Sequence, residues 1–234
     1  MHGPRPTSQA LAMNHTILGT IAQVAQLELA RGEHVWCANG SLVSYTPGTS
    51  WRLRVPGGVG GAVRRGLAGE GMSLTFVEGE ADGQRVLLGS NHPGQIAEWN
   101  LDQEGPLIAT RGSFIAAWGV DLDITVTIAR RVGAAFFGGA GLFLQRVNGR
   151  GTALVHASGD LVRRPLARGE RLLVSTGNLA AFSASCDYSI QGVGGCLKML
   201  FGREGMFMTR LEGPGMVYLQ TLKRGFAARA AAHG

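Results

Sequence analysis

From Gln23 to Leu29 apolar and polar side chains alternate, with Ala25, Leu27 and Leu29 separated by Gln26 and Glu28. The alternation resumes after Arg31-Gly32-Glu33 and again after Asn39-Gly40. A period of two is that of a strand with one face buried, so the segment Gln23–Tyr45 predicts strands joined by tight turns rather than helix. A second pattern occurs three times. One glycine opens a short apolar strand and another closes it eight residues later: Gly71/Gly79, Gly141/Gly149 and Gly205/Gly213. Met72, Leu74 and Val77 fall at the same offsets as Leu142, Leu144 and Val147, and as Met206, Met208 and Leu211. Turns rich in glycine follow at 79–83, 149–151 and 213–215. Each copy reads as a β-hairpin, its closing glycine expected at positive φ.

The first pattern also recurs. Ala30-Arg31-Gly32-Glu33 leads to Gly40, Thr110-Arg111-Gly112-Ser113 to Gly119, and Ala167-Arg168-Gly169-Glu170 to Gly177. Strands follow at 42–45, 120–128 and 179–182. The chain therefore divides into a loose segment 1–20, one β domain over 21–223 built from units 21–98, 99–165 and 166–223, and a tail 224–234.

Composition adds little that contradicts an all-β domain. The 234 residues can bury a core without covalent staples. The 37 glycines, about twice the usual share, fit many tight turns. Cys37, Cys186 and Cys196 form no CxxC pair and are odd in number, which predicts free thiols in a reducing compartment. The N-terminus lacks the apolar core of a signal peptide, and the most apolar window, Val132–Leu144, is too short to span a bilayer. A cytoplasmic protein without a transmembrane segment is expected.

The sequence is sparing in recognisable chemistry. The glycine-rich linkers 54–71, 129–141 and 191–205 match neither a dinucleotide fingerprint nor a Walker loop, so no cofactor is expected. The six histidines stand singly, with no HxH or HExxH, which counts against a metal-dependent cupin-like enzyme. His34 and His156 read as structural strand residues. No GxSxG elbow is present. The net charge of +6 and the doublets Arg64-Arg65 and Arg130-Arg131 make those four arginines the candidate anion-binding residues. Arg163-Arg164 and Lys198 add to the basic set. Phe136, Phe137 and Phe143 could seat at a headgroup boundary beside Arg130-Arg131, giving an anionic membrane surface as one partner. Nucleic acid is favoured less, because no aromatics interleave with the arginines as a stacking platform requires.

The third unit, from Val162 to Leu222, carries both patterns in full and resembles the altered inheritance of mitochondria protein 24 family. Leu29–Glu33 and Arg111–Ala117 resemble the same family's first- and second-unit segments. The resemblance implies a TRAP-like fold of three tandem β-sandwich units, related to the double-stranded β-helix and pseudo-threefold. It implies a homotrimer as well. It brings no catalytic residues. Ser175 and Asn178 stand where many members have Asp and His. The expected function is a non-enzymatic binding or scaffold protein at a membrane surface or in an assembly. An RNA- or DNA-binding module of TRAP-like fold and a cupin-like small-molecule enzyme are the alternatives.

Overall fold

Ala25, Leu27 and Leu29 are all fully buried, on the face that the alternation marks out. The computed structural model describes residues 13–54, 74–129, 142–192 and 207–224. Its first set of strands is β1 (Asn14–Leu18), β2 (Val24–Leu29), β3 (His34–Cys37), β4 (Leu42–Tyr45), β5 (Thr49–Arg54), β6 (Leu74–Gly79) and β7 (Gln84–Gly89). The middle set is β8 (Gly94–Asn100), a one-turn helix α1 (Leu101–Glu104), β9 (Leu107–Thr110), β10 (Phe114–Ala129) and β11 (Leu142–Ser158). The last is β12 (Leu161–Leu166), β13 (Arg171–Ser175), β14 (Leu179–Ser183), β15 (Asp187–Gly192), β16 (Phe207–Glu212) and β17 (Gly215–Gln220). All pairing between these strands is antiparallel, and the described residues are all-β apart from α1 and a 3-10 turn at Thr176–Asn178. Asn14–Leu18 is not loose: it pairs along β2 from Asn14↔Glu28 to Leu18↔Val24.

The glycine-framed segments are not hairpins. β6 pairs with β3 and β5, whereas β7, which follows it directly, pairs with β2 and β4. β16 and β17 separate in the same way, to β13 and β15 and to β12 and β14. The closing glycine is a corner at which a two-stranded ribbon leaves one layer and enters the next. In the first set the ribbon runs from Cys37↔Thr75 to His34↔Glu78, bends, and continues as Leu29↔Gln84. In the middle set the corner is absorbed within the unbroken β11, opposite α1. Hydrophobic spacing gives the buried face of each strand but not its hydrogen-bonding neighbour, and a corner and a hairpin have the same spacing.

The Arg-Gly-Glu turns lie against those corners. Gly32 donates its amide to the Gly79 carbonyl (2.8 Å), and Gly79 donates to Glu33 (3.0 Å). Gly169 and Gly213 repeat the contact at 3.1 Å, and Gly213 and Glu170 at 2.9 Å. This closeness is what requires glycine. Of the three closing glycines only Gly149 has positive φ, at 122°. At Gly79 a Cβ would lie 2.6 Å from the Ala30 carbonyl oxygen, and at Gly213 it would collide with that of Ala167. Gly79→Ala and Gly213→Ala are each expected to cost about 1–3 kcal/mol by overpacking against backbone. Urea midpoints unchanged in both variants would contradict the corner contact. Gly71, Gly141 and Gly205 lie outside the described residues.

The middle set corrects a second expectation. By its pairing, Thr110–Ser113 corresponds to the turn Ala38–Ser41 and not to Ala30–Glu33. Ser41 donates its amide to Ala38 and Ser113 to Thr110, at 3.1 and 3.0 Å. The place of the Arg-Gly-Glu turn is taken by α1, capped by the Asn100 side chain, while Asp102 accepts the Gly151 amide at 2.9 Å. The set also begins at β8, so a boundary at 98 falls inside a strand. Three packed clusters follow from these layers. One lies around Leu27, Leu29 and Leu88, one around Phe182, Leu179 and Leu211, and a central one around Trp99, Phe114 and Tyr218.

Candidate anion-binding cleft

Opposite the first residue of β4, β10 and β14, the strands β7, β11 and β17 place Leu88, Val155 and Leu219. One residue further stand Gly89, His156 and Gln220, three equivalent positions holding very different side chains. The amides of Gly89 and His156 are held alike, by the carbonyls of Ser41 (2.8 Å) and Ser113 (2.7 Å). Glycine leaves this corner bare in the first set. In the middle set it carries a fully buried imidazole.

The imidazole is met by Arg224, whose amide is fixed to the Gly177 carbonyl at 2.9 Å. Arg224 Nη2 donates to His156 Nδ1 (2.8 Å) and to Ser158 Oγ (3.0 Å), and Nη1 donates to Ser113 Oγ (2.6 Å) and to the Arg111 carbonyl (3.3 Å). Thr110 Oγ1 braces Ser113 at 3.1 Å and donates to the carbonyls of Leu179 and Ala180. Gln220 closes the floor, donating to the Gly177 carbonyl (2.7 Å) and accepting the Ser158 amide (3.0 Å). An acceptor role for Nδ1 places the ring proton on the buried Nε2, and Arg224 Nε is buried with no hydrogen-bond partner among the described residues. Burial, with the Arg224 charge beside it, pulls the His156 pKa down to about 4, only partly opposed by the backbone of His92. Burial alone lowers that of Arg224 to about 10, and among the described residues no carboxylate compensates its charge.

These groups border a cleft of about 220 Å³ lined by Ser90, Asn91, His92, Arg111, Gly112 and Arg224 among others. Arg111 lies with its guanidinium carbon 5.4 Å from the centre of the Phe143 ring. Phe143 thus supports Arg111, an arginine outside the doublets. Arg64, Arg65, Arg130 and Arg131 lie outside the described residues, as do Phe136, Phe137, Lys198 and Cys196. Arg163 stacks over Tyr218 (5.2 Å) and Arg164 pairs with Glu170 (2.9 Å), so both are engaged on the sheet. His34 is exposed and stacks on Phe76. Asn178 donates to the Gln220 carbonyl at 2.8 Å, a clamp on the end of β17, and Ser175 makes no side-chain capping bond. Cys37 and Cys186 are buried free thiols whose pKa values burial raises. Among the described residues no three His, Cys, Asp or Glu side chains form a metal-holding group, and no helix is long and apolar enough to cross a membrane.

Sequence reasoning singled out Thr110–Ser113 as a turn but missed the cleft. Its parts lie at 90–92, 110–113, 156–158 and 220–224, too far apart for a motif.

Comparison with known proteins gives three findings. An uncharacterized protein of Streptococcus pyogenes serotype M6 is 29% identical over 208 residues, covering 85% of this chain and 81% of its own. The crystal structure of a Streptococcus pyogenes protein superposes with a TM-score of 0.75 at 24% identity, over 91% of this chain and 94% of that one, a likeness of fold. The family pattern described as mitochondrial biogenesis AIM24 matches residues 15–222, and with nearly all of the described strands inside that match, the chain belongs to the AIM24 family.

Proposed function

We propose that this protein is a non-enzymatic binding protein that receives an anionic group, a phosphate or a phosphate-bearing headgroup, in the cleft at Arg224. The observation that carries this reading is a largely buried guanidinium that, among the described residues, has no carboxylate partner and an unused Nε. A buried charge left uncompensated is costly, and an entering anion offsets that cost while gaining charge-assisted hydrogen bonds. Arg111 at the cleft wall adds a second positive charge. The neighbouring imidazole is poorly suited to proton transfer. Its Nδ1 is committed to Arg224, Nε2 is buried, and its pKa of about 4 keeps it neutral near pH 7.

Inorganic phosphate is expected to raise the melting temperature more than chloride at matched ionic strength, because a ligand of the folded state alone stabilises it. The increment should disappear in Arg224→Gln. Flotation with phosphatidylglycerol and phosphatidylcholine vesicles separates the two sources of the group. Binding to the anionic vesicles that requires Arg224 identifies a headgroup, and a phosphate effect without flotation identifies a free anion. Equal effects of phosphate and chloride would overturn the reading.

A further inference from the structure

Two junctions join the three sets of strands, and both use one pairing. β10 lies against β3 with Ala116 opposite Cys37 and Ala117 opposite Trp36. β14 lies against β9 with Ala181 opposite Ala109, Phe182 opposite Ile108 and Ser183 opposite Leu107. The strands correspond residue by residue. β4, β10 and β14 share a register irregularity at their start on β7, β11 and β17, between Leu42 and Ser44, Phe114 and Ala116, and Leu179 and Ala181, and the longer β10 has a second between Val120 and Asp123. On the other side Val35 of β3, Leu107 of β9 and Leu172 of β13 each face the apolar residue two before the closing glycine, Val77, Val147 or Leu211. With this correspondence the two junctions share one register.

A third copy of each strand is left unjoined. Among the described residues β4 pairs with β7 alone and β13 with β16 alone. Tyr45 is 45% exposed and Leu173 59%, whereas the equivalents Ala117, Phe182 and Ile108 are buried and Trp36 is half-buried. Two other outer strands, those of the large sheet, are blunted against pairing, β5 by Arg52 and Arg54 and β12 by Arg163, Arg164 and Pro165. β4 (LVSY) has neither charge nor proline, and β13 (RLLVS) has only Arg171 at its start.

The geometry points to head-to-tail assembly of this chain with a second copy of itself, β13 of one subunit pairing antiparallel with β4 of the next and so repeating the internal junction. The internal registers fix the new one: Val174 opposite the partner subunit's Ser44, Leu173 opposite the partner subunit's Tyr45, and Leu172 opposite the partner subunit's Thr46. Leu173 and Tyr45, exposed in the single chain, then cover each other as Ile108 and Phe182 do inside it. The contact joins two different surfaces, so it extends to a ring if its rotation closes and to a filament if it does not. It is independent of the Arg224 cleft.

Light scattering should give the 234-residue chain a mass that is a multiple of 24.6 kDa. Leu173→Lys, an exposed change, should return it to one subunit with its melting temperature retained. The register is read with Tyr45→Cys and Leu173→Cys as separate variants, since residues directly opposite in an antiparallel pair, about 4.5–5.5 Å apart at Cα, are within disulfide reach. Under mild oxidation the mixture should cross-link one Tyr45→Cys subunit to one Leu173→Cys subunit. Neither variant alone should cross-link beyond the wild-type background. A single-subunit mass for the wild type, an oligomer unaffected by Leu173→Lys, or cross-linking by Tyr45→Cys alone would each overturn the pairing.

Discussion

Trp99→Ala is expected to lower the stability by about 3–5 kcal/mol, the range for deleting a fully buried large aromatic. Trp99 is fully buried on β8, where the middle and last sets meet. Its ring lies edge-on to Tyr218 with centroids 4.9 Å apart, and its Nε1 donates to the Gly105 carbonyl at 3.0 Å. Tyr218 in turn donates its hydroxyl to the Glu98 carbonyl at 3.0 Å, tying β17 back to β8. Removing the indole opens a cavity at this seam, orphans the carbonyl that ends the α1 corner and takes away half of the aromatic pair. Trp99→Phe keeps the pair and most of the volume but not the N–H, so its cost should be distinctly smaller. Urea midpoints for the two variants separate the contributions. Equal midpoints would mean that the cavity counts for nothing here.

Trp99 also marks how far the sequence could be read. Alternation along Val24–Leu29 and the spacing of Leu74 and Val77 gave strands and their buried faces, because side-chain direction in a strand is local. The partner of a strand is not local. Nothing in Met206–Leu222 distinguishes a hairpin from a ribbon turning a corner, since both need a tight glycine turn between two apolar runs. Gly79 and Gly213 were found by spacing, but their reason, the nearby Ala30 and Ala167 carbonyls, lies on a distant segment. Arg111-Gly112-Ser113 was assigned to the wrong corner because α1 replaces the turn with a different local solution. The cleft failed for a related reason. Its arginine belongs to no doublet, and its histidine occupies a position that is glycine in the first set and glutamine in the last.

Acid should unfold this protein through His156. An unfolded histidine titrates near 6.5, whereas His156 in the fold has its pKa lowered to about 4. Between these values the unfolded chain binds a proton that the folded chain refuses, so stability rises with pH across the window. Its contribution is fully present above pH 6.5 and is lost as the pH falls towards 4, amounting to about 3 kcal/mol at most. The cause is geometric. The ring is fully buried, Arg224 already donates to Nδ1, and protonation there would expel that hydrogen bond and set two cations together. His92, the other titratable group beside the ring, adds a weaker repulsion once charged. Melting temperatures measured from pH 7 to pH 4 should fall steeply for the wild type. In His156→Gln, which can still accept from Arg224 but takes up no proton, the slope over the same range should flatten. Parallel slopes in the two proteins would assign the acid sensitivity to other groups.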